Sequence, residues 1–302
     1  MSAPAAIRPA TAADSGACFA IFRHSLADLL GRLGYRPPGG PPPDLDALWP
    51  DYESLFGHLA ATCAQWWIAE HPADGRPLGY ARSVQRAGTV ELTEFFVDPA
   101  TRVGGIGRAL LERAFPRGLG ERRAIIATLD APAIALYLRF GVAHQTTGVG
   151  VTAVPRACPL PAGYEAAPAA LEEVLAIERE LLGHAREPEV AFMLADRPAA
   201  VLRRGGRPVA YACEPNAGGF AGPVAALEPE HMPAALAYLE NAAHGAGLAR
   251  IDLTVPLSAQ SAVTWLLGER GFRVDPFYCL FLADRPWAKL DRYLPFNPCL
   301  FL

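Results

Sequence analysis

A chain of 302 residues with 51% hydrophobic and 19% charged residues is long enough for two globular domains and too apolar for a disordered or nucleic-acid-coating protein. The formal net charge of −4 leaves no basic footprint for a polyanion such as nucleic acid. The six cysteines (Cys18, Cys63, Cys158, Cys213, Cys279, Cys299) have neither C-x-x-C spacing nor histidine pairs nearby, so neither a metal site nor a disulfide framework is expected.

In chain order, residues 5–8 form a short strand. Thr11 and Asp14 then open a helix in capping-box fashion, with Cys18, Ile21, Phe22, Leu26, Leu29 and Leu30 at helical spacing and Gly31 and Gly34 as its stop. A proline-rich loop over 34–45 leads to a second helix marked by Tyr52, Leu55, Phe56 and Leu59. Strands follow over 66–70, 78–85 and 90–97, joined by turns at Asp74-Gly75 and Ala87-Gly88. A helix over 105–115, a strand over 123–129, a helix over 132–140 and a strand from Val142 complete this half.

The order then repeats. The segment Gly75-Arg-Pro-Leu-Gly-Tyr-Ala81 recurs as Gly206-Arg-Pro-Val-Ala-Tyr-Ala212, and at a nearly constant offset Val97 matches Leu227, Pro99 matches Pro229 and Gly141-Val142 matches Gly271-Phe272. The second half reads as a strand at Tyr164, a helix from Leu171 to Leu182, strands near Val201, Val209 and Val224, a helix from Pro233, a strand over 250–255, a helix to Glu269 and a strand over 277–282. A proline-rich connector over 155–161 separates the repeats, so the expected domains are 1–155 and 162–284. The tail over 285–302, with Trp287, Tyr293, Phe296 and Phe301, is too apolar to hang in water and should pack on the body. No basic-then-apolar leader and no window of ~20 apolar residues is present, which leads to the expectation of a cytoplasmic protein without membrane contact.

The chemistry concentrates where the strand ending Phe95-Phe96-Val97 runs through Asp98-Pro99 into Arg102-Val103-Gly104-Gly105-Ile106-Gly107-Arg108-Ala109. Glycines in this turn let the backbone approach a ligand, and the N–H groups at the helix start converge where the dipole favours negative charge. Arg102 and Arg108 can add direct phosphate contacts. Further on, Asp130, Ala133, Tyr137 and Gly141-Val142 form a second cluster.

These two motifs together resemble the GNAT superfamily of N-acetyltransferases. Its diphosphate signature, Arg or Gln, two residues, Gly, one residue, Gly or Ala, is matched by residues 102–107; its later Asn, Ala, Tyr and Gly-Phe positions are matched by Asp130, Ala133, Tyr137 and Gly141-Val142, with Asp for Asn and Val for Phe as departures. The resemblance covers the element order of the first half and implies an α/β fold. Two tandem GNAT-like domains are expected, each a mixed, mostly antiparallel central sheet flanked by helices. It further implies that acetyl-CoA is the cosubstrate, with the backbone of Phe96 and Val97 on the pantetheine arm, residues 102–109 on the diphosphate and Tyr137 near the thioester sulfur. A phenol near 10 can protonate a leaving thiolate whose conjugate acid lies near ~8.5.

An amine acceptor, with a pKa of about 10.4 as an alkylammonium, must lose a proton before it attacks. Glu94 is the favoured base and Glu91 the second candidate. Strict alternation puts them on opposite faces of their strand, whereas a bulge, usual there in the family, changes the assignment. Transferred to the second half, the offset turns Arg102 into Met232, Gly105 into Ala235, Gly107 into Ala237 and Tyr137 into Leu267, so only the first half is expected to bind acetyl-CoA.

The leading reading is an N-acyltransferase that acetylates the primary amine of a small, cationic acceptor by direct attack, with no metal, as a monomer or homodimer. The loop over 34–45 is a candidate for the acceptor wall. The alternative is a non-catalytic acyl-CoA-binding sensor, which would need the cradle but not the acid that Tyr137 supplies. A Rossmann-type nucleotide fold would need a glycine-rich turn after the first strand, and Ile7-Arg-Pro-Ala10 has none.

Overall fold

The computed structural model describes residues 5–35, 37, 41–101 and 105–296. The first half runs β1 (Ala6–Pro9), α1 (Ser15–Arg32), α2 (Leu45–Thr62), β2 (Gln65–Glu70), β3 (Pro77–Arg86), β4 (Thr89–Val97), α3 (Ile106–Ala114), β5 (Arg122–Thr128), α4 (Ala131–Arg139) and β6 (Ala143–Ala153). The second half runs β7 (Tyr164–Pro168), α5 (Leu171–Leu182), α6 (Glu187–Asp196), β8 (Ala199–Arg204), β9 (Arg207–Cys213), β10 (Val224–Ala226), α7 (Met232–Gly245), β11 (Ile251–Pro256), α8 (Gln260–Val263), β12 (Arg273–Ala283) and, in the tail, β13 (Tyr293–Leu294). The helix α6 and the strand β13 add to the elements read from the sequence. Thus the second half has its own second helix; residues 36 and 38–40 of the expected acceptor-wall loop lie outside the described residues. Among the described residues no helix is long and apolar enough to cross a membrane.

The chain packs as two compact units, one of residues 1–123 with 130–141 and one of 124–129 with 142–302. In the first unit, β1, β2, β3 and β4 form an antiparallel run in that order. Arg8 on β1 ties this edge together, with its Nη2 2.7 Å from Glu70 Oε1 and 2.8 Å from Asp14 Oδ1. Asp14 Oδ2 also accepts from the Thr11 N–H at 2.8 Å, fixing the entry to α1. Cys18, Phe19 and Ile21 of α1 pack with Phe56 of α2 and with Trp66, Ile68 and Tyr80 of the sheet in one buried cluster. The hairpin from β3 to β4 turns on Ala87 and Gly88, both at positive φ (42° and 81°), as a two-residue turn matched to strand twist requires.

One irregularity in that hairpin decides the site. Arg82 pairs with Glu94 while Ser83 pairs with Leu92, leaving Thr93 as the extra residue of a bulge on β4. The Thr93 hydroxyl donates to the Arg82 carbonyl at 3.1 Å and fastens it. Glu91, which pairs with Val84, and Glu94, which pairs with Arg82, therefore lie on the same face of the sheet, because Val84 and Arg82 are two residues apart on β3.

The second unit contains two sheets. In one, β12 lies between β5 and β6, and β6 pairs on its other side with β11, all antiparallel. Both partners of β6 thus come from the second half of the sequence, and the last strand of each repeat pairs with the other repeat. The glycines of β6 make room for this: a Cβ on Gly148 would stand 2.6 Å from Cys279 Sγ and 2.7 Å from the Phe281 ring, both on β12. The compact units differ from the expected division into 1–155 and 162–284, because β6 and β12 pair across the two halves of the sequence. The other sheet runs β13, β10, β9, β8, β7. The tail reaches it through Tyr293 and Leu294, opposite Ala225 and Val224, and through the Lys289 N–H, which donates to the Leu181 carbonyl at 2.8 Å. Phe301 lies outside the described residues.

Candidate active site

Strand β4 ends at Val97, and Asp98 shapes the exit. Its N–H donates to the Leu78 carbonyl at 2.8 Å and its Oδ1 accepts from the Ala100 N–H at 2.9 Å. Arg102, Val103 and Gly104, three of the residues expected on the diphosphate, lie outside the described residues. Gly105 takes up the chain as the N-cap of α3 with φ 79° and ψ 10°, a left-handed conformation that disfavours any side chain. Among the described residues no side chain caps this helix, and no atom lies within 4 Å of where a Cβ on Gly105 would be. The first bond closing the helix is Ala109 N–H to Gly105 O, 3.0 Å. The N–H groups of Gly105, Ile106, Gly107 and Arg108 therefore have no partner inside the helix, and they point out of its positive end. This open, uncapped turn fits an anionic group such as a diphosphate.

Buried Ile106, Leu110, Leu111 and Ala114 anchor α3 to the sheet. Gly107 serves that anchoring directly: a Cβ there would come within 3.0 Å of Phe95 Cζ, so its missing side chain lets helix and strand meet, while its N–H stays at the helix end. Arg108 is exposed and bound to Glu112 Oε1 at 2.8 Å. Ala109 is half-buried in the first turn.

Phe95 also meets Tyr137 of α4 edge to face, ring centroids 5.8 Å apart. Tyr137 is 6% exposed, and burial, with the charge of Asp130 behind it, holds its phenol well above its ordinary value. It is a protonated hydroxyl throughout the neutral range, a donor and not a base. Asp130 starts α4 by its backbone, whose carbonyl accepts from the Ile134 N–H at 2.9 Å, while its carboxylate faces Arg32 of α1 at 3.4 Å. Ala133 is half-buried one turn before Tyr137.

The opposite face of β4 carries the carboxylates. Glu94 is 3% exposed; the Tyr80 hydroxyl donates to its Oε1 at 2.9 Å and Arg82 Nε lies 3.2 Å from its Oε2. Burial pushes this carboxyl above the usual carboxylate range, and Arg82 and the Tyr80 hydrogen bond pull in the other direction. Glu91, fully buried, shares the face. Phe96 meets Phe22 of α1 edge to face (5.1 Å) and Tyr80 at a tilt (5.8 Å), and the Ser25 hydroxyl donates to the Val97 carbonyl at 3.2 Å.

The structure thus brings Glu94, Phe95 and Tyr137 together around one strand that leads into the uncapped helix. Tyr80 and Arg82 are the residues that sequence reading missed. Their signal was their i, i+2 spacing on a strand adjacent to an acidic one, which becomes informative only once the register is known.

Residues 33–142, which include α2 through α4, match the model of the Acetyltransferase (GNAT) family. A mycothiol acetyltransferase of Clavibacter michiganensis subsp. michiganensis is 36% identical over 96 residues, 27% of this chain and 31% of that protein, so the likeness spans about a third of that relative. Among solved structures, a Pyrococcus horikoshii protein classed with the acetyltransferases aligns over 98% of this chain and 95% of its own with a TM-score of 0.71 at 16% identity. A tandem GNAT protein from the clavulanic acid biosynthesis pathway aligns over 93% of this chain and 99% of its own, with a TM-score of 0.52 at 16% identity. Residues 33–142 thus carry the match to the acetyltransferase family, and along its length the chain has the fold of a tandem GNAT protein.

Proposed function

We propose that the protein is an acetyl-CoA-dependent N-acetyltransferase with a single site, in its first half, that acetylates the primary amine of a small molecule. The observation that carries this reading is the path of β4, which presents Glu94 on one face and Phe95 with Tyr137 on the other before entering the open turn at Gly105. When bound, acetyl-CoA supplies an activated thioester. The N–H groups at the start of α3, with residues 102–104 before them, would hold its diphosphate, and the backbone of Phe96 and Val97 its pantetheine arm.

Glu94 takes the proton from the acceptor ammonium, and Tyr137 gives its proton to the sulfur as the C–S bond breaks and the N–C bond forms. Glu91 stands on the same face as the second candidate base. The match to a mycothiol acetyltransferase supports a small-molecule acceptor. A single site is supported by the first turn of α7, the counterpart of α3. There Met232, Ala234, Ala235 and Ala237 are buried side chains where α3 has an exposed glycine.

The test is CoA release across a panel of primary amines. Tyr137→Phe should lower kcat by about 100-fold while CoA still binds. Turnover unchanged by this substitution would remove the acid role and favour a cofactor sensor.

A further inference from the structure

Arg82 is fully buried, yet its Nη1 and Nη2 have no hydrogen-bond partner among the described residues, and its Nε is placed on Glu94 in an ion pair at 3.2 Å. The guanidinium carbon lies over the Trp66 ring, 3.8 Å from its centroid, with the Phe56 ring centroid of α2 5.5 Å away. Aromatic faces favour a cation there but do not replace the lost hydrogen bonds, so the site does not serve stability alone. The groups facing Glu94 are Tyr80 and Arg82 from β3, Cys18 from α1, Cys63 at the end of α2 and Glu91 on its own strand. The Cys18 thiol is pushed up to about 12 by burial and the Tyr80 phenol is raised well above its ordinary value, so both are neutral. Arg82 is the one cation acting on Glu94 among the described residues.

We propose that Arg82 is a positioning residue, which holds Glu94 ionised and in one orientation so that a buried carboxylate can still take a proton from the acceptor amine. This rests on the reading of Glu94 as the base. Burial alone disfavours the ionised carboxylate. Tyr80 holds Oε1 by a hydrogen bond, and the Arg82 cation faces Oε2 in an ion pair. In the repeated segment the position of Arg82 is taken by Cys213, so a cation at this point of the strand belongs to the first half alone.

The sign follows from the charge. Removing the cation disfavours the ionised carboxylate, so the acidic limb of the kcat/KM profile should move to higher pH. For Arg82→Met a rise of about 1 pH unit or more is expected, with roughly tenfold lower kcat/KM on that limb and recovery at higher pH. Arg82→Lys, which keeps the charge, should return the limb towards the wild-type position. A limb that does not move in Arg82→Met overturns the proposal.

Infrared titration reads the same proton without turnover. At pH 7 the wild type should show no protonated-acid band that is lost in Glu94→Gln, whereas Arg82→Met should gain one. Such a band in the wild type also overturns the proposal, and this arm requires no folded Arg82 variant. If no amine is turned over but the infrared bands behave as stated, the enzymatic reading fails while the role of Arg82 towards Glu94 stands.

Discussion

The two halves of the chain place a buried tyrosine at the same point of their repeated segment, Tyr80 on β3 and Tyr211 on β9, and surround it differently. Each hydroxyl donates to a buried carboxylate, Glu94 at 2.9 Å and Glu178 at 2.6 Å. In the second half the carboxylate comes from α5, and Arg186 grips it through two hydrogen bonds of 2.9 and 2.7 Å while also donating to the Tyr293 hydroxyl of the tail. In the first half the carboxylate comes from β4 beside a bulge, and Arg82 touches it through one nitrogen. The first pattern satisfies a buried charge pair and fastens a tail; the second leaves hydrogen-bonding capacity around a carboxylate. The tyrosine shared by the repeats thus bonds a carboxylate gripped by two guanidinium nitrogens in one repeat and a carboxylate faced by a partly unsatisfied guanidinium in the other.

The largest effect that would break this comparison is truncation. A chain ending at residue 155 keeps β6 but loses β11 and β12, its partners on both sides. It should fail to give a cooperative unfolding transition, and adding residues 156–302 as a separate chain should restore one. A stable, cooperatively folded 1–155 fragment would mean that the first repeat closes its own sheet without the exchange. Next in size is the second-half lock. Arg186→Met leaves Glu178 buried without its cation and should cost about 3–5 kcal/mol in denaturant unfolding, with kcat/KM per folded molecule unchanged. A fall in kcat/KM instead would place the second half in the chemistry and dissolve the contrast with Arg82.

Much of the fold was legible because its elements are short, periodic and punctuated. The glycine turns around β3 and β4 and the apolar stripe of α1 give those elements to within a residue or two. The helix α6 was not, since Glu187-Pro188-Glu189 in its first turn and its short apolar stretch give a weak period. The exchange of β6 and β12 was illegible for a different reason: the two strands close their repeats at equivalent places, and local pattern fixes that a strand exists but not which repeat supplies its neighbour.

At the site, a glycine-led start to α3 could be read from glycine positions alone, and Gly105 is its left-handed N-cap. The shared face of Glu91 and Glu94 could not, because it depends on Thr93 being the extra residue in a bulge. The role of Gly107 also shifted, from open approach to close packing on Phe95, because a glycine's lack of a side chain serves either purpose and only its neighbours tell which.

The central claim is that the glycine-led turn at the start of α3, and no counterpart in the second half, holds the cosubstrate. Calorimetric titration of acetyl-CoA into the full chain tests it most directly. The account predicts one molecule bound per chain and loss of binding in Gly105→Val, where a branched side chain is forced to positive φ at the open turn. Two molecules per chain, or binding unaffected by Gly105→Val, would contradict it.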